Sequence, residues 1–139
     1  FPSLPDPDMT PGALCLKPDD YRYPEHVAYC RRRVSAPTKL EVIRDYDSQR
    51  GYHIEEMARG EFKIDHLIPL CFGGSNDVTN LWPQHRTVYV KTDSLENRLC
   101  NLLSRGRITQ KNAIDLILAA KLQDEVAMVR SELDQFEGK

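Results

Sequence analysis

An acid and an imidazole stand side by side at Asp65-His66, inside the stretch GEFKIDHLIPL that begins at Gly60. A Gly73-Gly74 pair follows within a run of small polar residues, CFGGSNDVTN, and Asn80 comes 14 residues after His66. NLWPQ then leads from Asn80 to Gln84 and into a helical stretch. These residue types match the needs of phosphodiester hydrolysis. A base with a pKa near the working pH must take a proton from water, which suits imidazole. Charge developing on the phosphate and the leaving oxygen must be neutralised, which suits a divalent cation held by hard oxygen ligands. A strand, a loop and a helix can bring base and cation to opposite sides of one phosphate.

The stretch resembles the HNH nucleases, whose fold is the ββα-metal unit. DHLIPLCFGG followed by NLWPQ is similar to a bacterial HNH subgroup with a DHLIPL–GG–NLWPQ signature, a long and specific motif. The resemblance covers residues 62 to 104 and extends more loosely to Thr10-Pro11-Gly12 and to GRITQKNAI at Gly106 to Ile114. It implies an α+β, helix-rich fold with a small β-hairpin plus helix as the ββα-metal core and additional packed helices. It implies that His66 is the general base and that Asp65 is a metal ligand on the other side of the strand end. Asn80 would cross-link the loop by side-chain hydrogen bonds to backbone and so hold His66 in place. Trp82 and Pro83 would lead into the metal-binding helix, with Trp82 in the core. The implied cofactor is one divalent metal, Mg²⁺ first and Mn²⁺ as the alternative, and the implied product carries a 5′-phosphate.

One departure from the family pattern matters. Many members supply a further metal ligand, His or Asn, at a position on the following helix that Tyr89 takes here, and a phenol is a poor ligand for Mg²⁺. Asp93 and Glu96 are then the candidates for a second carboxylate, with waters completing the shell. The same pair also reads as a capping box, with Asp in place of Ser or Thr, where the helix restarts. Lys91 and Arg98 are candidates to hold phosphates, although simple exposure is the ordinary state of such side chains. His85 is a further candidate phosphate contact or ligand, against the reading of a surface histidine. His26 and His53 sit in no recognisable constellation and are read as structural or exposed. Phe72 is expected to pack under the loop.

The elements that must position these residues are legible in outline. Residues 13 to 34 look irregular. Ser35 or Ala36 precedes Pro37, which suits a first helical position, and Leu40, Ile43 and Tyr46 share one face of a helix ended by Arg50-Gly51. Phe62 and Ile64 alternate with Lys63 and Asp65, which is strand periodicity that Pro69 limits. Gln84 to Ser104 reads as a helix with Leu95, Leu99, Leu102 and Leu103 on its apolar face. Thr109 can cap a last helical region, about 109 to 136, that is one long amphipathic helix or two packed ones. Its acidic end reads as a solvated face.

Length and composition bound the rest. A chain of 139 residues is one domain by length, with enough chain for a core. The expected organisation is an extended N-terminal arm over residues 1 to 12 and a single HNH-like domain over 13 to 139. The arm, FPSLPDPDMTPG, holds four prolines and two aspartates and reads as an arm following a cleavage point. An apolar fraction of 40% and a charged fraction of 29% are those of an ordinary globular protein. No stretch approaches the roughly 18 apolar residues of a membrane-spanning helix. The net charge of −2 excludes a strongly basic, histone-like binder. It does not exclude an enzyme with a local basic face. Residues 86 to 111 carry six basic groups against two acidic ones, and with Arg31, Arg32 and Arg33 they form a candidate cationic face. Scattered solvated charge is the alternative.

Four cysteines (Cys15, Cys30, Cys71, Cys100) lack the close pairs of a four-cysteine zinc site. They allow three disulfide connectivities, of which Cys15 with Cys30 and Cys71 with Cys100 is favoured; four free buried thiols are the alternative. Disulfides and the Pro-rich start point to an exported chain, secreted or periplasmic. The expected function is a metal-dependent endonuclease acting on nucleic acid, DNA before RNA, with low sequence specificity, because phosphate contacts carry no sequence information. Neither a membrane nor an obligate protein partner is expected. A non-catalytic nucleic-acid-binding module on the same fold is the first rival. A small disulfide-stabilised interaction protein is the second.

Overall fold

The structure, a computed structural model, describes residues 1–137. Local sequence rules set most of its helix boundaries. Helix α1 spans Ala36–Arg50 with Pro37 in its first turn. The Ser35 side chain accepts from the Thr38 amide, and Gly51 closes the helix at φ 74°, in the left-handed region that favours glycine. Val42, Ile43 and Tyr46 are its buried residues. Leu40 is only half-buried, so the inward face lies closer to Val42 than the spacing predicts.

Residues 13 to 34 are not wholly irregular. They contain a short antiparallel hairpin, β1 (Asp20–Arg22) with β2 (Val27–Tyr29). Cys15–Cys30 and Cys71–Cys100 are both disulfide-bonded, with Cα separations of 5.7 and 5.9 Å. The N-terminal arm lacks helix and strand but is docked. Thr10 is fully buried, its hydroxyl against Tyr46 and the Leu81 carbonyl, and Asp6 pairs with Arg50.

The central element is a second antiparallel hairpin. β3 (Phe62–His66) pairs with β4 (Leu81–His85), Asp65 opposite Trp82 and His66 opposite Leu81. Periodicity in the sequence predicts β3 but marks no strand over Leu81–His85, where only the family resemblance implies the second strand of a hairpin; β4 carries Pro83. In a two-stranded sheet each strand has a free edge, and that is where proline is tolerated. Helix α2 therefore begins at Arg86, not Gln84, and runs unbroken to Ser104. With no restart at Asp93, the capping-box reading of Asp93 and Glu96 falls.

The last helical region is two helices, α3 (Gln110–Leu122), capped by the Thr109 side chain, and α4 (Val126–Glu137). The turn between them holds Asp124 at φ 53°.

Two apolar clusters flank the β3–β4 hairpin. One packs Leu95, Leu99, Leu102 and Leu103 of α2 against Ala113, Ile117 and Ala120 of α3 and Val129 and Leu133 of α4, with Ile68 and Phe72. The other joins Val42, Ile43 and Tyr46 of α1 to Ile54, Phe62, Ile64, Leu81 and Trp82. The molecule is thus α+β, with four helices and two small hairpins. Among the described residues no helix is long and apolar enough to cross a membrane.

Candidate functional site

The loop after β3 is held by one amide. Asn80, fully buried, accepts from the Ile68 amide at 3.0 Å and donates to the carbonyls of Ile68 at 3.0 Å and Ser75 at 2.8 Å. The Gly-Gly pair makes this closure possible. Gly73 sits at φ 87°, and a Cβ on Gly74 would stand 1.8 Å from the Ile68 carbonyl oxygen, so only glycine fits. Phe72 is fully buried under the loop.

Successive strand residues send their side chains to opposite faces, so Asp65 and His66 part company at the end of β3. His66 is 5% exposed and faces the loop. Its Nε2 lies 3.0 Å from Oδ1 of Asn76. The orientation of that amide is set by its other contacts: Nδ2 donates to the Arg31 carbonyl at 2.7 Å, and Oδ1 also accepts from the Arg33 amide at 3.2 Å. The imidazole therefore donates from Nε2, which leaves the Nδ1 lone pair as its basic atom. Burial lowers the His66 pKa below the ordinary imidazole value, the Asn76 contact opposes this, and the Arg32 charge lowers it further. A neutral ring with an available lone pair is the form a general base needs.

Asp65 turns the other way, into an arrangement the sequence does not reveal. Its Oδ2 accepts from Trp82 Nε1 at 3.0 Å and from the ammonium of Lys121 at 2.8 Å. Lys121, on α3, is fully buried and also reaches Glu96 of α2 at 2.5 Å. It donates further to the carbonyls of His66 at 2.9 Å and Leu67 at 3.2 Å. Its neighbouring carboxylates keep it charged despite burial. Burial pushes Glu96 up to about 7, against the pull of Lys121 and with the help of the Asp65 charge. Asp93 is not part of this group; it pairs with Lys63 at 2.9 Å.

His66, Asp65 and Glu96 line one cleft of about 450 Å³, together with Arg32, Lys39, Arg59, Lys63, Pro69 and Cys71. The lysine and arginine side chains come from α1, the segment before it, β3 and the turn before β3. Among the described residues no ion pair ties down Arg32, Lys39 or Arg59. With both cleft carboxylates facing Lys121, the exposed charge here is positive.

The other candidates lie elsewhere. Arg98 is tied to Asp134 and Glu137 of α4, and Lys91 lines a separate hollow with Ser3, Leu4 and Asp124. His85 caps α2 through its ring Nδ1, which accepts from the Thr87 amide, and stacks on Phe1 at 3.8 Å. Lys111 pairs with Asp115. The basic run over 86 to 111 therefore does not form the cleft face. Its cations are instead those of residues 32 to 63.

The proposed metal ligands do not converge as a metal site. Asp65 and Glu96 are bridged by an ammonium and Asp93 is engaged by Lys63. No group of three or more His, Cys, Asp or Glu residues suited to a metal ion forms among the described residues. Comparisons of the chain with family models, with curated proteins and with solved structures find no match.

Proposed function

We propose that the chain is an HNH-type phosphodiester hydrolase that cuts nucleic acid in an oxidising compartment, secreted or periplasmic. The observation that carries this reading is the neutral His66 imidazole, its Nε2 tied to Asn76 and its Nδ1 without a hydrogen-bond partner among the described residues, on the wall of a cationic cleft. The DHLIPL–GG–NLWPQ signature, folded as a β-hairpin followed by a helix, supports the same reading.

The backbone phosphate binds among Arg32, Lys39 and Arg59, whose charges draw in a polyanion without reading its bases. His66 Nδ1 accepts a proton from water. The resulting hydroxide attacks phosphorus in line, the bond to the 3′ oxygen breaks, that oxygen takes a proton from solvent to leave as the 3′-hydroxyl, and the product keeps a 5′-phosphate. The nearby guanidinium and ammonium groups stabilise the charge that builds on the phosphate oxygens. No step runs through a divalent metal, because the carboxylates that would hold one face Lys121.

The second reading is a nucleic-acid-binding module that keeps the cleft but does not cut. Tyr89 at the family's ligand position favours it. Plasmid digestion separates the two readings. After chelation, supercoiled DNA is incubated with the protein alone and with Mg²⁺, Mn²⁺ or other divalent ions added one at a time, and RNA is tested in parallel. Hydrolysis predicts nicked and linear products ending in 5′-phosphate. A protein that shifts the plasmid on a gel yet leaves it intact under every condition is the binding module.

A further inference from the structure

A cation already sits where the acidic residues of the cleft meet. Lys121 Nζ is surrounded by four oxygens: Asp65 Oδ2 at 2.8 Å, Glu96 Oε1 at 2.5 Å, and the carbonyls of His66 at 2.9 Å and Leu67 at 3.2 Å. These acceptors come from the end of β3, the residue after it, and α2. The ammonium arrives from α3 through apolar packing, with its side chain fully inaccessible. The separations suit N–H···O contacts of an ammonium, which has three protons to share. Mg²⁺ demands oxygens at about 2.0–2.1 Å in a near-octahedral shell. Inserting such an ion between Asp65 and Glu96 would require expelling the ammonium, and a fully buried Lys121 would then lose the carboxylates that compensate its desolvation.

We propose that the ammonium of Lys121 is the resident cation of this site, seated where a divalent metal would otherwise bridge Asp65 and Glu96, so that the wild-type cleft has no divalent-metal site built on that pair. Lys121 is in this account a positioning residue. It bridges the two carboxylates, its single charge shared between them, and fixes the His66 and Leu67 carbonyls, and so the backbone that carries the imidazole. The inference deepens the proposed function but does not depend on turnover, since it concerns ion binding alone.

The experiment is a titration of the chelated and desalted full chain with Mn²⁺, following free ion by electron paramagnetic resonance. The wild-type protein is expected to show no saturable site, and Asp65→Asn and Glu96→Gln are expected to leave its titration unchanged. Lys121→Met removes the charge at similar side-chain length. When folded, it frees both carboxylates and is expected to gain one Mn²⁺ site at least about tenfold tighter than any in the wild type, a site lost again on adding Asp65→Asn. A saturable wild-type site that a folded Asp65→Asn or Glu96→Gln weakens by about tenfold overturns the proposal, whether or not Lys121→Met folds. A folded Lys121→Met with no gain overturns it as well. If no nuclease activity is found but the ion titration behaves as described, the hydrolase reading fails and the lysine assignment stands. If the protein cuts DNA and binds Mn²⁺ through Asp65, the reverse holds.

Discussion

At the scale of single residues, the account turns on which nitrogen of His66 is basic. The Asn76 amide is pinned by Arg31 and Arg33, so its oxygen faces the ring and Nε2 carries the proton. Placing a carboxylate there adds a negative charge beside Nε2, at the loss of the Asn76 Nδ2 bond to the Arg31 carbonyl. Asn76→Asp is expected to raise the His66 pKa, because an opposite charge within about 4–6 Å favours the imidazolium. The acid limb of the pH–rate profile then moves to higher pH. The wild-type limb lies below the ordinary imidazole range, since burial holds the pKa down. Profiles of the two proteins that superimpose would contradict His66 as the base that sets this limb. His66, Asp65 and Asn80 could be singled out from the sequence because their types and spacing carry the signature. Asn76 could not, because it stands outside the quoted signature and meets the His66 ring only through the fold of the loop.

At the scale of elements, the clasp between β3, α2 and α3 decides how the site is built. The sequence reveals the helices through their apolar spacing and their caps at Ser35 and Thr109. Its periodicity does not mark β4, because LWPQH shows no apolar–polar alternation, so only the family resemblance implies that strand. The sequence conceals Lys121 for a different reason. The clasp depends on contacts 25 residues back to Glu96 and 56 back to Asp65, and no local period reports them. The only signal is a lysine inside the apolar run ILAAKL.

The clasp has a pH signature with a definite sign. Glu96 rises from 4.5 to about 7 on folding, so the folded chain holds its proton more tightly than the unfolded chain does. The stability this contributes is present in full below about 4.5 and is lost as the pH rises towards about 7. Thermal midpoints across this window should fall more for the wild type than for Glu96→Gln, which cannot ionise there. Equal slopes for the two proteins would exclude the shift. Removing the lysine charge altogether leaves two buried carboxylates facing one another. The cost expected for Lys121→Met is about 3–5 kcal/mol of folding free energy, measured by urea denaturation.

At the scale of the whole molecule, a net charge of −2 coexists with a cationic cleft, because the acidic residues are placed elsewhere or neutralised within it. Composition alone therefore misses the cationic face, and so does the basic run over residues 86 to 111, whose members Arg98 and Lys111 are engaged in ion pairs. About three phosphate contacts from Arg32, Lys39 and Arg59 predict a slope near −2.7 for log affinity against log salt on duplex DNA. Arg59→Ala should reduce that slope by about 1, read by fluorescence anisotropy at several salt concentrations; an unchanged slope would put the phosphates elsewhere. The Cys71–Cys100 disulfide ties this face to α2, since Cys71 lines the cleft and Cys100 lies on that helix. The most direct measurement is a side-by-side assay of wild type and His66→Ala on one labelled DNA duplex, with binding and cleavage recorded in the same samples. The account predicts equal affinity, an unchanged fold and no detectable cleavage by the variant. A correctly folded His66→Ala protein that cuts the duplex at the wild-type rate would contradict it.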